Sequence, residues 1–219
     1  REGFTAHVGR VFGICVEKGH ELPKGAEGRK FRGRFVFQGN EVRDEFHEYA
    51  IFGELSSSPA SIEASKAVDG FGLLEGNAIE QSDAEAAYTQ TEMGPEAKAT
   101  WVRLPEEMWP EEWKGKYNDP VVPLRLALHG HPDSGGHWEA HLAKAVSAMG
   151  GIEVPNHPSS HWFAKAKLLL TVYVDDLLLS GPEKYHDEIW KRIQHGDKPI
   201  LIDDPEPLDR FLGRAHVAV

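Results

Sequence analysis

Aromatic and cationic residues alternate in a short N-terminal stretch of the chain. Residues 31–35 read Phe-Arg-Gly-Arg-Phe, an alternation typical of a β-strand with one basic face. The run 7–16 also favours extended structure, and the turn-rich stretch 19–28 lies between the two. Together these segments predict a hairpin with a long loop and a stripe of cations along one strand.

Apolar residues at helical spacing predict three helices. The clearest covers 134–149, where Trp138, Leu142 and Val146 fall on one face and Gly150 ends the helix. The other predicted helices cover 60–71 and 183–195. Strands are predicted at 77–82, within 92–119, at 168–174 and 177–179, and over 211–219.

The order of these elements indicates the fold class. Helices and strands are interleaved without the regular βαβ rhythm of a doubly wound sheet, so the pattern favours an α+β fold. The 219 residues suffice for one large domain or two small ones, with a sizeable core. The chain opens at Arg1 and ends in a strand-like run, so we expect a piece of a longer protein.

Two adjacent acids, Asp175 and Asp176, interrupt a long apolar run over 168–179. Asp tolerates tight turns, so one interpretation is a polar hairpin tip without chemistry. The other is that buried strands leave the carboxylates poorly solvated, so that they either raise each other's pKa or bind a cation. Asp83, which follows another predicted strand, supplies a third carboxylate.

Three carboxylates at two strand ends suit a pair of Mg²⁺ ions, with Mn²⁺ as an alternative. Mg²⁺ prefers hard oxygen ligands and keeps waters and substrate phosphates in its shell, so few protein groups suffice. Two such ions ~3.5–4 Å apart activate an attacking oxygen and stabilise the leaving one. This is the chemistry of nucleotidyl transfer.

Charge and cysteine content narrow the class of protein. The net charge of −11 argues against a chain that simply coats nucleic acid or an anionic membrane, although a local basic groove remains compatible with it. Cys15 is the single cysteine, which fits a reducing compartment. Apolar runs fall far short of the ~20 residues that span a bilayer, and the first residues lack a signal-peptide pattern. We expect a soluble intracellular protein that is not secreted and has no membrane partner.

Five motifs, in order, resemble the reverse transcriptases of Ty1/copia-type retrotransposons. Tyr173-Val174-Asp175-Asp176 looks like that family's signature, and the ordered set covers nearly the whole chain. The other four are similar to its basic strand, its first aspartate motif, its Ser-Leu-Tyr-Gly and its Tyr-Phe-Leu-Gly: 32–39 (Arg-Gly-Arg-Phe-Val-Phe-Gln-Gly), 81–88 (Gln-Ser-Asp-Ala-Glu-Ala-Ala-Tyr), 126–130 (Leu-Ala-Leu-His-Gly) and 210–213 (Arg-Phe-Leu-Gly).

The resemblance implies the fingers and palm of a right-hand polymerase, with an antiparallel palm sheet, packed helices and no thumb. Residues 1–75 and 93–130 would form discontinuous fingers, and residues 76–92 and 131–219 the palm. The chain stops where a thumb would begin, and no RNase H segment is present.

The resemblance also implies residue roles in the palm. Asp83, Asp175 and Asp176 would be the catalytic acids and the metal ligands. Tyr88 would be the aromatic gate under the nucleotide sugar, where its ring leaves no room for a 2′-hydroxyl and so favours deoxynucleotides.

Further residues would contact the substrates. Arg32 and Arg34 would reach from the fingers to the triphosphate of the deoxynucleotide, a role that suits guanidinium groups. Gly130 would lie beneath the templating base pair. The primer grip would include Phe211, Leu212 and Gly213.

The activity implied by the resemblance is RNA-directed DNA polymerisation, the addition of deoxynucleotides to a primer 3′ end on an RNA or DNA template. Mg²⁺ would be the cofactor. The partners would be the template–primer, deoxynucleoside triphosphates and the rest of a retrotransposon polyprotein, including thumb and RNase H. The expected location is a cytoplasmic particle or the nucleus.

Alternative interpretations remain. The family has Leu-Lys-Gln after its Tyr-Gly, whereas this chain has neither a lysine nor a glutamine at 131–133. A catalytically silent remnant that only binds nucleic acid or polyprotein segments would keep the same motifs. Minor alternatives are a chymotrypsin-like serine protease using His7 and Ser134, and a zinc site. The histidines that raise the zinc hypothesis are His129, His131, His137 and His141.

Overall fold

The computed structural model describes residues 6–52, 57–94, 99–211 and 214–216. These residues form two compact units. The first takes its residues from 1–55 and 92–134, and the second from 56–91 and 135–219. The units contain both strands and helical segments, so the α+β class predicted from the sequence is confirmed.

The described residues form three α-helices and twelve strands. The helices are α1 (Ile62–Gly72), α2 (Ser134–Ala148) and α3 (His186–His195). The strands are β1 (Ala6–Lys18), β2 (Lys30–Phe37), β3 (Asn77–Asp83), β4 (Ala99–Arg103), β5 (Val121–Pro123), β6 (Ile152–Glu153), β7 (Ser160–Phe163), β8 (Leu168–Tyr173), β9 (Asp176–Pro182), β10 (Glu206–Pro207), β11 (Arg210–Phe211) and β12 (Arg214–Ala215). Within the described ranges, no helix combines the length and apolar character needed to cross a membrane.

The first unit is built on a four-stranded sheet in the order β2-β1-β4-β5. β1 and β2 pair antiparallel, so the predicted hairpin and its basic strand are confirmed. β1 runs parallel to β4, and β4 runs antiparallel to β5. The core of this unit contains Val11, Phe37, Val42 and Val102. β2 lies at the edge of the sheet, and most of its side chains are exposed.

The second unit contains a six-stranded sheet in the order β10-β3-β9-β8-β7-β6, with every neighbouring pair antiparallel. Helix α1 packs on one face, where Val68 contacts the cluster that includes Leu178. Helices α2 and α3 cover the other face, where Trp138 belongs to the cluster of Leu177 and Leu179. The sheet is therefore the middle of three layers.

Strands β8 and β9 are apolar at nearly every position because both faces of the sheet are covered. Successive side chains of a strand point to opposite faces. Leu178 therefore packs with α1, while its neighbours Leu177 and Leu179 pack with α2 and α3, and all three are fully buried. Burial of each such side chain contributes roughly 1.5–3 kcal/mol. The hairpin predicted over 168–179 is confirmed.

Two boundaries differ from those that the sequence predicts. Among the described residues, β11 and β12 are short strands that pair antiparallel with each other, whereas the prediction has one strand over 211–219; residues 212–213 and 217–219 lie outside the described part of the chain. Helix α1 lies in the second unit, whereas the predicted fingers extend to residue 75. The assignment of the two units to fingers and palm stays a prediction.

Candidate functional site

Two of the three predicted acids meet where neighbouring strands of the second unit end. Asp83 is the last residue of β3 and Asp176 is the first residue of β9, and they lie directly opposite each other in the antiparallel pair. The Cβ atoms of such partners are about 4.5–5.5 Å apart. The two carboxyl groups are close enough for each to affect the protonation of the other. Residues that are distant in sequence thus form one acid pair.

Asp175 lies in the tight turn that joins β8 to β9. Tyr173 pairs with Asp176, so Val174 and Asp175 are the two central residues of a hairpin turn. Val174 has a φ of 58°, a left-handed conformation that costs a β-branched residue about 1–2 kcal/mol. A positive φ at the first central position alone is the pattern of a type II′ turn, where glycine is the usual residue. The turn that presents Asp175 is therefore strained.

Contacts from the surrounding fold hold this turn in place. The indole Nε1–H of Trp138, which is buried in α2, donates to the Val174 carbonyl oxygen at 2.6 Å. The Ala84 N–H, one residue after Asp83, donates to the Asp175 carbonyl oxygen at 2.7 Å. Both carbonyl groups of the turn are therefore satisfied by other elements, which fixes the backbone that carries Asp175 and Asp176.

The proximity of the acids changes their protonation. Burial raises the pKa of Asp176 to about 6, and the negative charges of Asp175 and Asp83 contribute to the same shift. The pKa of Asp83 is also raised, chiefly by burial and by the charge of Asp175. Asp83 and Asp175 remain exposed and Asp176 is half-buried, so the site is open to solvent. At neutral pH the fold holds together negative charges that repel one another.

The donor set fits a hard divalent cation by its chemistry. Carboxylate oxygens are the ligands that Mg²⁺ prefers, and a bound cation would relieve the repulsion that raises the pKa of Asp176. Across residues 6–52, 57–94, 99–211 and 214–216, no three His, Cys, Asp or Glu side chains converge closely enough to hold a metal ion between them. Asp83 and Asp176 are thus arranged as a facing pair, with Asp175 as a flanking acid.

Tyr88 lies in the same unit, five residues after Asp83. It lies within the short helical turn Ala87–Gln90, and its half-buried side chain packs against the cluster that includes Trp138. The pKa of its phenol is raised by burial and by the charges of Asp175 and Glu139. The charge of Asp175 therefore acts on the Tyr88 phenol, and the role of Tyr88 as an aromatic gate stays a prediction.

Two acids near the site are absent from the sequence-based prediction. Glu139, half-buried on α2, accepts a hydrogen bond from the Ser58 N–H at 2.8 Å, and burial raises its pKa. Asp203 lies beside β3, where its N–H donates to the Asp83 carbonyl oxygen at 2.8 Å. The charge of Asp203 contributes to the raised pKa of Asp83. The Asp203-Asp204 doublet was the only sequence signal for the second of these acids.

Arg32 and Arg34 lie on one face of β2 in the first unit. Their cross-strand partners on β1 are Val16 and Ile14, so the face combines cations with aliphatic side chains. A cavity of about 350 Å³ lies on this face, and His129 is among the residues that line it. The structure thus places both arginines beside the segment that ends in Gly130, within the same unit.

Gly130 has a structural reason to be glycine. Its φ is 89°, and a Cβ atom there would lie 2.1 Å from the Phe37 carbonyl oxygen. The Phe37 N–H donates to the His129 carbonyl oxygen at 2.7 Å, so the segment before α2 runs against the end of β2. This close approach excludes any side chain at 130. The predicted role beneath a base pair stays a prediction.

The primer-grip prediction falls on a segment that the structure describes only in part. The Phe211 side chain is 2% exposed and belongs to the core cluster with Val68 and Leu178. This burial leaves almost none of the surface of Phe211 for contact with a substrate. Leu212 and Gly213 lie outside the described residues.

The minor alternatives receive no support from the described residues. The Ser134 hydroxyl donates to the Leu128 carbonyl oxygen at 2.8 Å and accepts from the Leu128 N–H at 3.0 Å, so it fastens the start of α2. His7 packs edge-on against Phe52 with ring centroids 4.6 Å apart, in the core of the first unit. His141 stacks on Trp138. These histidines and Ser134 have packing roles.

Comparisons with known proteins identify no family for this chain. No family model and no curated protein matches the chain. Among solved structures, the chain is similar to telomerase from Candida albicans in complex with the TWJ fragment of telomeric RNA, with a TM-score of 0.43 and 9% identity. The likeness covers 96% of this chain and 44% of the telomerase chain, so this chain spans less than half the length of that protein. So distant a likeness supports no inference about function.

Proposed function

We propose that this chain is the fingers-and-palm part of a Ty1/copia-type reverse transcriptase. The observation that supports the proposal best is the acid pair. Asp83 and Asp176 come from separate motifs of the resemblance, and the antiparallel pairing of β3 with β9 makes them neighbours beside the turn that carries Asp175. A polar hairpin tip without chemistry would not require an acid on the adjacent strand.

In this proposal, each predicted site residue has a separate role in nucleotidyl transfer. Asp83, Asp175 and Asp176 would hold Mg²⁺, or Mn²⁺ in its place, and two such ions would supply charge stabilisation for the attacking and leaving oxygens. Tyr88, whose phenol is affected by the charge of Asp175, would select deoxynucleotides by excluding a 2′-hydroxyl. Arg32 and Arg34 present guanidinium groups to the triphosphate.

The substrates of the proposed enzyme are deoxynucleoside triphosphates and a primer on an RNA or DNA template. Gly130 and the 211–213 segment are assigned to the template and the primer end. The thumb and RNase H of a retrotransposon polyprotein are the proposed partners, and a cytoplasmic particle or the nucleus is the proposed location.

Asp176→Asn tests the proposal. The amide keeps the size of the side chain but removes a charged metal ligand, so extension of a primer on an RNA template in Mg²⁺ or Mn²⁺ should be abolished. Asp197→Asn, at an exposed position after α3, is the matched control and should retain parental activity. Extension products are measured on a denaturing gel.

Two outcomes would contradict catalysis at this site. Equal activity in the Asp176→Asn variant and the parent would remove the carboxylates from the reaction. A parent protein that binds the template–primer but extends no primer with either metal ion would instead favour the silent binding module.

A further inference from the structure

A second cavity lies in the second unit, apart from the acid pair. It has a volume of about 680 Å³ and lies between the C-terminal half of α2 and strands β6 and β7. Among the residues that line it are Lys144, Ser147, Glu153, His161 and Lys198. Lys144 and Ser147 follow Glu139 on α2 by five and eight residues, which places them roughly 8–12 Å farther along the helix axis.

Two lysines from different elements converge on this cavity. Lys144 belongs to α2, whereas Lys198 belongs to the segment that follows α3. Both are close enough to His141, which lies one turn before Lys144, to lower its pKa in addition to the effect of burial. In a chain with a net charge of −11, two ammonium groups in one cavity form a local positive site. Glu153 is the carboxylate that lines the same cavity and opposes them.

His161 provides a buried polar group in the wall of the cavity. The residue is 3% exposed, and its ring nitrogens are not among the side-chain atoms that the described fold buries without a hydrogen-bond partner. Burial lowers its pKa, an effect that the charge of Glu153 opposes, so the ring is neutral at pH 7. A neutral imidazole has one N–H to donate and one nitrogen to accept.

We propose that this cavity is a phosphate-binding site, in which the ammonium groups of Lys144 and Lys198 and the ring N–H of His161 bind the oxygens of a phosphate group. Lysine binds phosphate as a point charge, and donors from three separate elements suit an anion whose oxygens point in several directions. The phosphate belongs either to a small molecule or to the backbone of a single-stranded nucleic acid. The site uses none of the residues assigned to nucleotidyl transfer and goes beyond the proposed function.

The first experiment measures binding of inorganic phosphate to the whole chain by NMR, through the pH titration of the His161 ring. A bound anion favours the imidazolium form, so the pKa of His161 should rise in phosphate relative to chloride of equal ionic strength. Replacement of either lysine, in Lys144→Gln or Lys198→Gln, should weaken phosphate binding about fivefold. Lys66→Gln, at an exposed position on α1, is the control and should leave the affinity unchanged.

The second experiment separates the two sources of phosphate. If the source is a nucleic-acid backbone, a short single-stranded oligonucleotide should bind more tightly than inorganic phosphate, and each lysine variant should lower the salt dependence of that binding. If the source is a small molecule, inorganic phosphate should displace the oligonucleotide completely. The proposal is overturned if neither probe shifts His161 or if both lysine variants bind like the Lys66→Gln control. Asp176→Asn should bind phosphate normally, so the proposal survives a failure of the proposed function.

Discussion

The raised pKa of Asp176 makes the stability of the fold depend on pH. In the unfolded chain an aspartate has a pKa near 3.8, whereas in the folded chain Asp176 holds its proton up to about pH 6. Between these values the folded state binds more protons than the unfolded state, so the free energy of unfolding falls as the pH rises and then levels off above about pH 6.

Asp176→Asn tests this dependence without any assay of activity. The variant should be more stable than the parent at pH 7, because the amide removes the repulsion by Asp83 and Asp175, and its free energy of unfolding should change less between pH 4 and pH 6. Urea titrations at a series of pH values measure both effects. Asp197→Asn should follow the parental curve, and a variant at 176 that also follows it would contradict the assigned pKa.

The structural cost of a side chain at position 130 can be measured from protein stability alone, without any assay of substrate binding. Gly25 also has a positive φ, of 87°, but a Cβ atom there would meet no other atom within 4 Å. Gly25→Ala should therefore cost about 1–2 kcal/mol through its backbone conformation alone. Gly130→Ala should cost at least ~1 kcal/mol more, because its Cβ overlaps the Phe37 carbonyl oxygen. Urea unfolding of both variants measures the difference, and equal losses would contradict this explanation for the glycine.

The sequence identified some site residues but not others, for a physical reason. Asp175 and Asp176 are conspicuous because charged residues rarely interrupt so long an apolar run. Glu139 and Asp203 have no comparable local signal, since their proximity to Tyr88 and Asp83 arises from packing between distant segments. The strain at Val174 is equally invisible in the sequence, because a valine is normally compatible with an extended strand.

At the scale of elements, the hydrogen bond between α2 and the β8–β9 turn can be tested by a single substitution. Trp138→Phe keeps an aromatic ring in the core but removes the N–H that donates to the Val174 carbonyl oxygen. A buried acceptor without its donor costs about 1–3 kcal/mol. The variant should lose stability by that amount, and primer extension should fall because the turn that carries Asp175 is less well fixed.

Trp162→Phe is the matched control for this change. The Trp162 side chain is half-buried and contacts Phe71 at a centroid distance of 5.9 Å, and among the described residues its indole N–H has no hydrogen-bond acceptor. It should therefore lose less stability than Trp138→Phe and should keep its activity. Denaturant titration and a primer-extension assay compare the two, and equal effects would show that the hydrogen bond to Val174 has no special role.

Elements with strong local signals were predictable, and those formed by pairing were not. The hairpin of β1 and β2, the β8–β9 hairpin and the three helices follow from alternation, turn residues and helical spacing. Strands β6, β10, β11 and β12 have two residues each and exist only because a partner strand lies beside them. The described part of the predicted strand over 211–219 was wrong for this reason, since Arg210–Phe211 pairs antiparallel with Arg214–Ala215.

For the whole molecule, the net charge of −11 predicts weak binding of nucleic acid with a strong dependence on salt. The basic face of β2 supplies the local exception. In the double variant Arg32→Gln/Arg34→Gln, the slope of log affinity against log salt should be smaller by about one unit for each arginine. Lys184→Gln, an exposed cation of the second unit, should leave the slope unchanged. Fluorescence anisotropy of a labelled template–primer measures the slopes, and identical slopes in all three proteins would exclude β2 from binding.

The order of the six-stranded sheet also determines when the acid pair can form. β8 and β9 are joined by a two-residue turn and can pair as soon as both are made. β3 also pairs with β9, but almost half of the chain separates these two strands. Pairings between segments so distant in sequence slow folding, because the intervening chain loses entropy before any contact forms. During synthesis on the ribosome, β3 emerges long before its partner and has no antiparallel neighbour on that side. Asp83 and Asp176 therefore come together only when the second unit is nearly complete, so no truncated folding intermediate that lacks β9 has an assembled site.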